Sequence, residues 1–252
     1  MIDLEQTIGA AYDLHQAGHL EEAEARYRAL LAINPGQVDV LYLLSSLLLA
    51  TRPDEALGMA RRALEASAGR GGLGVSEVML LDHGAACFAR QAFDAALEAE
   101  LLARAQRLEP ARFERLFRLA EAQRRAGLRD AAITTLRDYL FHCPGDINAR
   151  CNLGALQLQS GNIEASVATL QRVLAAQPRH AQALNNLGYA YSQLGQLEQA
   201  ATHYRATVDI DPGFAEGWFN LAAALHKLNR LDESAAAYGR AQAIQLESGS
   251  RP

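Results

Sequence analysis

The sequence predicts an all-α protein, and three observations support this fold class. About a fifth of the 252 residues are alanine, the residue with the highest helix propensity, and only seven are proline. Half of the residues are hydrophobic and the formal net charge is only -5, a composition that can bury a core. Prolines and glycines recur at one fixed interval, which is typical of stacked helical repeats.

The repeat period is 34 residues. Four prolines follow one another at this interval: Pro110, Pro144, Pro178 and Pro212. Three glycines share it and precede the last three prolines by 17 residues: Gly127, Gly161 and Gly195. A glycine between two amphipathic stretches marks a tight turn, and proline cannot continue a helix because it lacks a backbone N–H. Each period is therefore predicted to be a helix, a turn, a second helix and a stop.

Seven such units follow in order along the chain: 4–37, 38–70, about 75–112, 113–146, 147–180, 181–214 and 215–248. Unit one carries Gly18, Ala23, Tyr27 and Pro35 in the expected places. Unit two is one residue short at Thr51-Arg52-Pro53, and unit three has about two extra residues before Pro110. The last four units keep the pattern most closely.

The sixth unit is the most complete, with Asn186-Leu187-Gly188, Tyr191, Gly195, Ala200, Tyr204 and Pro212. This pattern resembles the tetratricopeptide repeat. The resemblance implies a right-handed α-solenoid superhelix of seven helix–turn–helix units. Small residues such as Gly154, Gly188 and Ala200 are expected to let the two helices of a pair approach closely.

The predicted domain organisation follows the repeats. Units one and two occupy 4–70, a glycine-rich joint occupies 71–76, units three to seven occupy 77–248, and 249–252 form a disordered tail. Residues 69–74 also match the dinucleotide fingerprint G-x-G-x-x-G. That fingerprint requires a preceding strand, and helical repeats lie on both sides here, so a flexible joint is the favoured interpretation.

Composition and motifs exclude several function classes. The balance of 24 Lys and Arg against 29 Asp and Glu provides no electrostatic footprint for duplex nucleic acid. The first residues lack the pattern of a signal peptide, and the longest apolar stretch is too short to span a bilayer. An odd count of three cysteines argues against a disulfide framework. We therefore expect a cytoplasmic protein without membrane insertion.

The sequence contains no catalytic or metal-binding motif that survives inspection, so we expect a non-catalytic protein without metal or cofactor. His15 and His19 have the spacing of a metal pair, but Gly18 interrupts the helix between them. Cys143 and Cys151 flank the turn between units four and five. They are interpreted as buried small residues, with a redox pair as the alternative.

Candidate binding residues lie on the first helices of the units. In tetratricopeptide arrays these helices line a concave groove, and asparagines recur on them here at intervals of 34: Asn152, Asn186 and Asn220. Each asparagine amide can donate to and accept from a peptide backbone. The series is similar to the asparagine track of arrays that precede protein O-glycosyltransferase domains. Asn148, Asn185 and Tyr189 are predicted to add to this peptide-binding site, with asparagines merely tolerated beside the core as the alternative.

The first half of the predicted groove has a different lining. Tyr42 and Phe117 contribute an apolar surface, and Arg118 and Arg125, seven residues apart, are predicted to dock an acidic segment of a partner. Neutralisation by Glu114 and Glu121 is the alternative. Chaperone-binding members of the family carry a lysine where this chain has Tyr42 and Phe117, which argues against that role.

Three functions are considered. The first is a protein-interaction scaffold that holds an extended peptide or partner segment in its groove. The second is a substrate-recognition or regulatory arm, because unit one resembles arrays fused to bacterial glycosyltransferases. The third is a self-assembling scaffold, because the last helix exposes an apolar edge through which a homo-oligomer could form. A protein or peptide is the expected partner in each case.

Overall fold

In the computed structural model, residues 4–67, 81–87 and 95–249 are described, and all regular secondary structure in these ranges is α-helical. The chain forms two compact units, Met1–Leu128 and Arg129–Pro252. The predicted joint at 71–76 and most of the predicted tail lie outside the described residues. The all-α fold predicted from the sequence is confirmed.

The first unit contains seven helices in its described ranges: α1 (Leu4–Gln16), α2 (Leu20–Ile33), α3 (Val38–Leu48), α4 (Pro53–Ser67), α5 (81–87), α6 (Ala95–Leu108) and α7 (Glu114–Arg125). The second unit contains another seven: α8 (Arg129–His142), α9 (Ile147–Gln159), α10 (Ile163–Ala176), α11 (Ala181–Gln193), α12 (Leu197–Ile210), α13 (Ala215–Lys227) and α14 (Leu231–Gly249). In the second unit each helix packs against the next one along the chain from α8 to α14.

The periodic glycines form the turns that the spacing predicts. Gly195 has a φ of 75° and follows α11, and Gly161 has a φ of 77° and follows α9. The next residue donates its N–H back to the helix, as Gln196 does to the carbonyl of Tyr191 at 2.9 Å. This is the Schellman arrangement, which needs a left-handed residue after the helix. In the last repeat Asn229 occupies this position with a φ of 59°, a conformation that asparagine tolerates.

The periodic prolines follow the second helices. Pro178 lies two residues after the end of α10, and Pro212 lies two residues after the end of α12. The prediction that each proline marks the end of a repeat is confirmed for these units.

The two helices of a repeat approach closely at the small residues. A Cβ built on Gly154 would lie 2.8 Å from Leu170 Cγ, and one built on Gly188 would lie 2.8 Å from Tyr204 Cε1. Ser166 adds a hydrogen bond across the pair, donating to the Gly154 carbonyl at 2.7 Å. The core is therefore a thin layer between helices. Its width is set by the small residues that recur at the same position in each repeat.

Candidate functional site

The asparagine track (Asn152, Asn186 and Asn220) lies on α9, α11 and α13, the first helices of three successive repeats. Each asparagine directly precedes a buried leucine, and these leucines are Leu153, Leu187 and Leu221. Helix α11 contacts both α9 and α13, so equivalent positions on the three helices are neighbours. The track therefore runs across adjacent helices, as the 34-residue spacing predicts.

Asn185 connects two of these helices and does not face outward. Its side chain is only 1% exposed. Its Nδ2 donates to Glu216 Oε1 at 3.1 Å, and its Oδ1 accepts from Asn220 Nδ2 at 3.0 Å. We therefore correct the assignment of Asn185 as a ligand contact: its amide is used to join α11 to α13, because both of its polar atoms are already bonded there.

Asn186 holds the centre of the track. Its Oδ1 accepts from Gln182 Nε2 at 3.2 Å, one turn earlier on α11. Its Nδ2 is buried and has no hydrogen-bond partner among the described residues. The Cys151 thiol lies against this amide, and burial raises the pKa of Cys151 to about 11, with the Asn186 amide acting in the opposite direction. An unsatisfied buried donor is energetically costly, so a rotation of this side chain that brought Nδ2 to an acceptor oxygen would be favourable.

Exposed side chains surround the track. Asn148 is exposed one turn before Asn152 on α9, and Gln182 is exposed one turn before Asn186 on α11. Tyr189 follows Asn186 by three residues and is 45% exposed. Residues three and four apart share one face of a helix. We call the surface formed by Asn148, Asn152, Gln182, Asn186, Tyr189 and Asn220 the first-helix face.

The cysteines near this face differ in reactivity. Neither Cys143 nor Cys151 forms a disulfide in the described residues; Cys143 is half-buried, while Cys151 is buried and its raised pKa keeps it as a thiol at neutral pH. We expect iodoacetamide at pH 7.5 to modify Cys143 well before Cys151 in the folded protein, as measured by peptide mass spectrometry. The same reaction in 8 M urea is the control, where both should react. Faster modification of Cys151 in the folded state would contradict this assignment.

The aromatic residues predicted to line the groove of the first unit are partly buried. Tyr42 packs against the apolar core of α1–α4, and its ring meets the His83 ring edge-on at 5.0 Å. His83 Nε2 lies 2.8 Å from Ser45 Oγ, which itself donates to the Ala56 carbonyl at 2.7 Å. Phe117 is half-buried on α7. Sequence reasoning did not identify the Ser45–His83 contact, because these residues are 38 positions apart.

The predicted basic patch is internally paired. Arg125 Nη2 lies 2.5 Å from Glu98 Oε2, and the Glu98 side chain is 3% exposed. Arg118 Nη1 lies 3.9 Å from Asp82 Oδ1. The surface at Arg118 and Arg125 is therefore less positive than the sequence predicts. The carboxylates of Asp82 on α5 and Glu98 on α6 offset these two guanidinium groups. The sequence-based alternative named Glu114 and Glu121 as the neutralising residues, and neither of them is the partner found here.

Arg115 on α7 differs most clearly from the exposed basic surface that the sequence predicts in this region. It lies on the same helix as Arg118 and Arg125, but its side chain is only 3% exposed. It donates to both carboxylate oxygens of Asp82, at 2.9 and 2.7 Å, and to the Ala105 carbonyl at 3.1 Å. The hydrogen bond to Asp82 is the largest cause that raises the pKa of the Arg115 guanidinium, and Glu109 acts in the same direction. Arg115 is a structural residue, and its partners could not be identified from spacing alone.

The described part of the chain shows no other chemical centre. Within 4–67, 81–87 and 95–249, no three His, Cys, Asp or Glu side chains are grouped as metal ligands would be. His15 and His19 are separated by Gly18, whose φ of 83° ends the helix between them. In the same ranges we find no helix with the length and apolar character needed to cross a bilayer.

Family models of the tetratricopeptide repeat match residues 151–213, 190–245 and 116–140. Comparison with curated proteins finds no match to this sequence. The resemblance of unit one to glycosyltransferase-fused arrays stays a prediction. The family matches fall on α7 to α14, where the predicted period is most regular.

Solved structures with the same fold include three repeat proteins. MamA (residues 41 to the end) from Desulfovibrio magneticus RS-1 is 22% identical with a TM-score of 0.63, covering 70% of this chain and 99% of that one. A tetratricopeptide repeat protein from Parabacteroides merdae ATCC 43184 is 16% identical with a TM-score of 0.58, covering 96% and 93%. YrrB, described as a repeat protein with an unusual peptide-binding site, is 17% identical with a TM-score of 0.60, covering 81% and 97%. The chain therefore contains tetratricopeptide repeats, which are matched at 116–140 and 151–245.

Proposed function

We propose that this chain is a protein-interaction scaffold whose first-helix face binds an extended peptide segment of a partner protein. The observation that carries the proposal is the asparagine track on three adjacent first helices, with the exposed side chains of Asn148 and Tyr189 beside it. Recognition, with no chemical step, is the activity that this arrangement supports.

The spacing of the track suits an extended backbone. Packed helices lie about 8–10 Å apart, and an extended chain advances about 3.3 Å per residue. One asparagine therefore meets roughly every third peptide residue. Amide side chains donate to a backbone carbonyl and accept from a backbone N–H, so this contact is independent of peptide sequence. Tyr189 offers an aromatic surface for a side chain of the peptide and provides selectivity.

The bond between Asn185 and Asn220 supports this proposal indirectly. It joins α11 to α13 at the level of the track. Because the two helices are joined there, the spacing between Asn186 and Asn220 is held before a ligand arrives, which lowers the entropic cost of binding. The YrrB structure, described as having an unusual peptide-binding site, is consistent with such a use of this fold.

The proposal is tested with a random dodecamer peptide library displayed on phage and selected against the folded chain. Selected peptides are synthesised with a fluorescent label, and their affinity is measured by anisotropy. We expect Tyr189→Ala combined with Asn148→Ala to weaken binding about tenfold or more, because an aromatic contact and a hydrogen bond each contribute about 1 kcal/mol. Both side chains are exposed, so circular dichroism should show unchanged helicity.

Gln199→Ala is the matched control. Gln199 is an exposed polar residue on α12, the second helix of the same repeat, and lies off the first-helix face. Its truncation should leave the affinity within about twofold. Peptides that bind the Tyr189→Ala, Asn148→Ala variant as tightly as the unmodified chain would refute the first-helix face as the binding site.

A further inference from the structure

The last repeat ends in an open apolar groove. Helices α13 and α14 enclose a volume of about 610 Å³ lined by Phe219, Ala222, Leu231, Ala235 and Tyr238, among others. The Phe219 and Tyr238 rings meet edge-on at 5.5 Å across this volume. Tyr238 is 49% exposed and Leu231 is 54% exposed. We call this surface the C-terminal groove.

The same surface is covered one repeat earlier. Subtracting 34 from Ala222, Ala235 and Tyr238 gives Gly188, Ala201 and Tyr204 of the preceding repeat. Helix α13 packs against that surface, where Ala201 is 4% exposed and Tyr204 is 2% exposed. The C-terminal groove therefore repeats an interface whose occupant is known in this molecule, and that occupant is a single α-helix.

We propose that the C-terminal groove docks an amphipathic α-helix of another polypeptide, one that presents small and aliphatic side chains as α13 does. The docking face of α13 shows which side chains fit. A Cβ on Gly217 would lie 3.1 Å from Thr207 Cγ2 and 3.2 Å from Val208 Cγ1, so the helix approaches closely there. Leu221 and Ala224 are each 2% exposed. The partner helix requires a small residue followed by aliphatic residues four and seven positions later.

One position of the groove differs from its counterpart and defines the partner further. In the covered interface Asn185 donates to the Glu216 carboxylate of α13. The residue 34 positions later is Phe219, which offers no hydrogen bond. Glu216 stays exposed in the covered interface, so a carboxylate at the equivalent place would keep its water but gain no hydrogen bond from Phe219. The partner helix therefore does not need an acidic residue where α13 carries Glu216.

A folded second copy of this chain does not supply such a helix. The described first helices α3, α9, α11 and α13 already pack within their own units. The outer face of α1 is polar: aligned through Gly18 and Asn229, its counterparts of Gly217 and Ala224 are Gln6 and Asp13, which are both exposed. Asp13 would bring a carboxylate toward a groove that is lined mainly by apolar side chains. Two C-terminal grooves facing each other would leave both concave surfaces unfilled.

The test uses a peptide with the sequence of residues 215–228, fluorescein-labelled, and a second peptide that carries Glu216→Leu. Anisotropy is measured against the full 252-residue chain, with a scrambled peptide as a control. We expect saturable one-to-one binding that the Glu216→Leu change in the peptide does not weaken. Circular dichroism should show that the peptide becomes helical on binding, since a free helix of this length is marginal in water.

Ala235→Glu and Ala236→Glu form a matched pair of protein variants. Both residues are exposed on α14, but Ala235 lines the C-terminal groove, while Ala236 lies beside Arg205 and Arg240 on the other side of the helix. Ala235→Glu should weaken peptide binding about tenfold or more, because the docked helix would bury its charge. Ala236→Glu should leave binding unchanged, and Tyr238→Ala, which adds no charge, should also weaken it.

Two results would overturn the proposal. One is equal binding of the peptides to the Ala235→Glu and Ala236→Glu proteins, or no binding to the unmodified chain. The other is a concentration-dependent dimer in sedimentation velocity that Ala235→Glu abolishes and the peptide displaces, since the groove would then belong to a second copy. Neither result bears on the first-helix face, which is tested by Tyr189→Ala and Asn148→Ala.

Discussion

Arg115→Met is expected to destabilise the first unit by about 3 kcal/mol. Arg115 is buried and makes two hydrogen bonds to Asp82, one to the Ala105 carbonyl and one to Glu109 Oε2 at 3.2 Å. Methionine fills part of the volume but leaves these acceptors without their donor. The Asp82 side chain is 23% exposed, so water can hydrate it, and the cost falls near the lower end of the range for a broken buried pair.

Urea unfolding followed by far-UV circular dichroism measures this change. Arg112→Met is the control, because the Arg112 side chain is 66% exposed and, among the described residues, its ion pair is with Glu109 at 3.1 Å. Its loss should change the free energy of unfolding by less than about 0.5 kcal/mol. Trp218, the single tryptophan, lies in the second unit, so its fluorescence follows that unit separately. An Arg115→Met protein as stable as Arg112→Met would show that the buried ion pair contributes nothing.

Gly188→Val is expected to destabilise the second unit by about 3 kcal/mol. The added Cβ would lie 2.8 and 2.9 Å from two Tyr204 ring carbons and 3.2 Å from the Ala200 carbonyl oxygen. The Tyr204 side chain is 2% exposed and packed on all sides, so its ring has no space to move. The two helices must separate, or the ring must leave its rotamer, and either response is costly.

Gly239→Val provides the matched control on α14. A Cβ at Gly239 meets no atom within 4 Å, so the same substitution there should change stability by less than about 0.5 kcal/mol. The urea transition reported by Trp218 fluorescence should shift for Gly188→Val and not for Gly239→Val. Equal stability of the two variants would mean that the close approach of α11 and α12 is not required.

Much of the fold was predictable because its determinants are local. Gly161 and Gly195 adopt the left-handed backbone that ends a helix, and Pro178 and Pro212 block continuation of the next one. Each of these effects depends on the residue and its immediate neighbours. The recurring small residues were predictable for a related reason. Gly154 and Gly188 stand at the same position of successive repeats, where the paired helices approach closely.

The candidate site was predictable only in part. The spacing correctly placed Asn152, Asn186 and Asn220 on neighbouring helices, but it could not separate Asn185 from Asn186. The two residues differ by about 100° around α11, so one points toward α13 and is bonded there, while the other lies on the track. Likewise, the partner of Arg125 is Glu98 on another helix, which no spacing along α7 could identify.

The sequence by itself determined the repeat, the helix boundaries and the positions that must be small, because a 34-residue period records backbone requirements that each repeat meets again. Only the tertiary structure decided which polar groups are bonded internally and which stay exposed. Asn185 and Arg115 find their partners 31 and 33 residues away, in the neighbouring repeat. Such bonds depend on the distance between helices to within a fraction of an ångström, and that distance is set by the packing of side chains from both repeats.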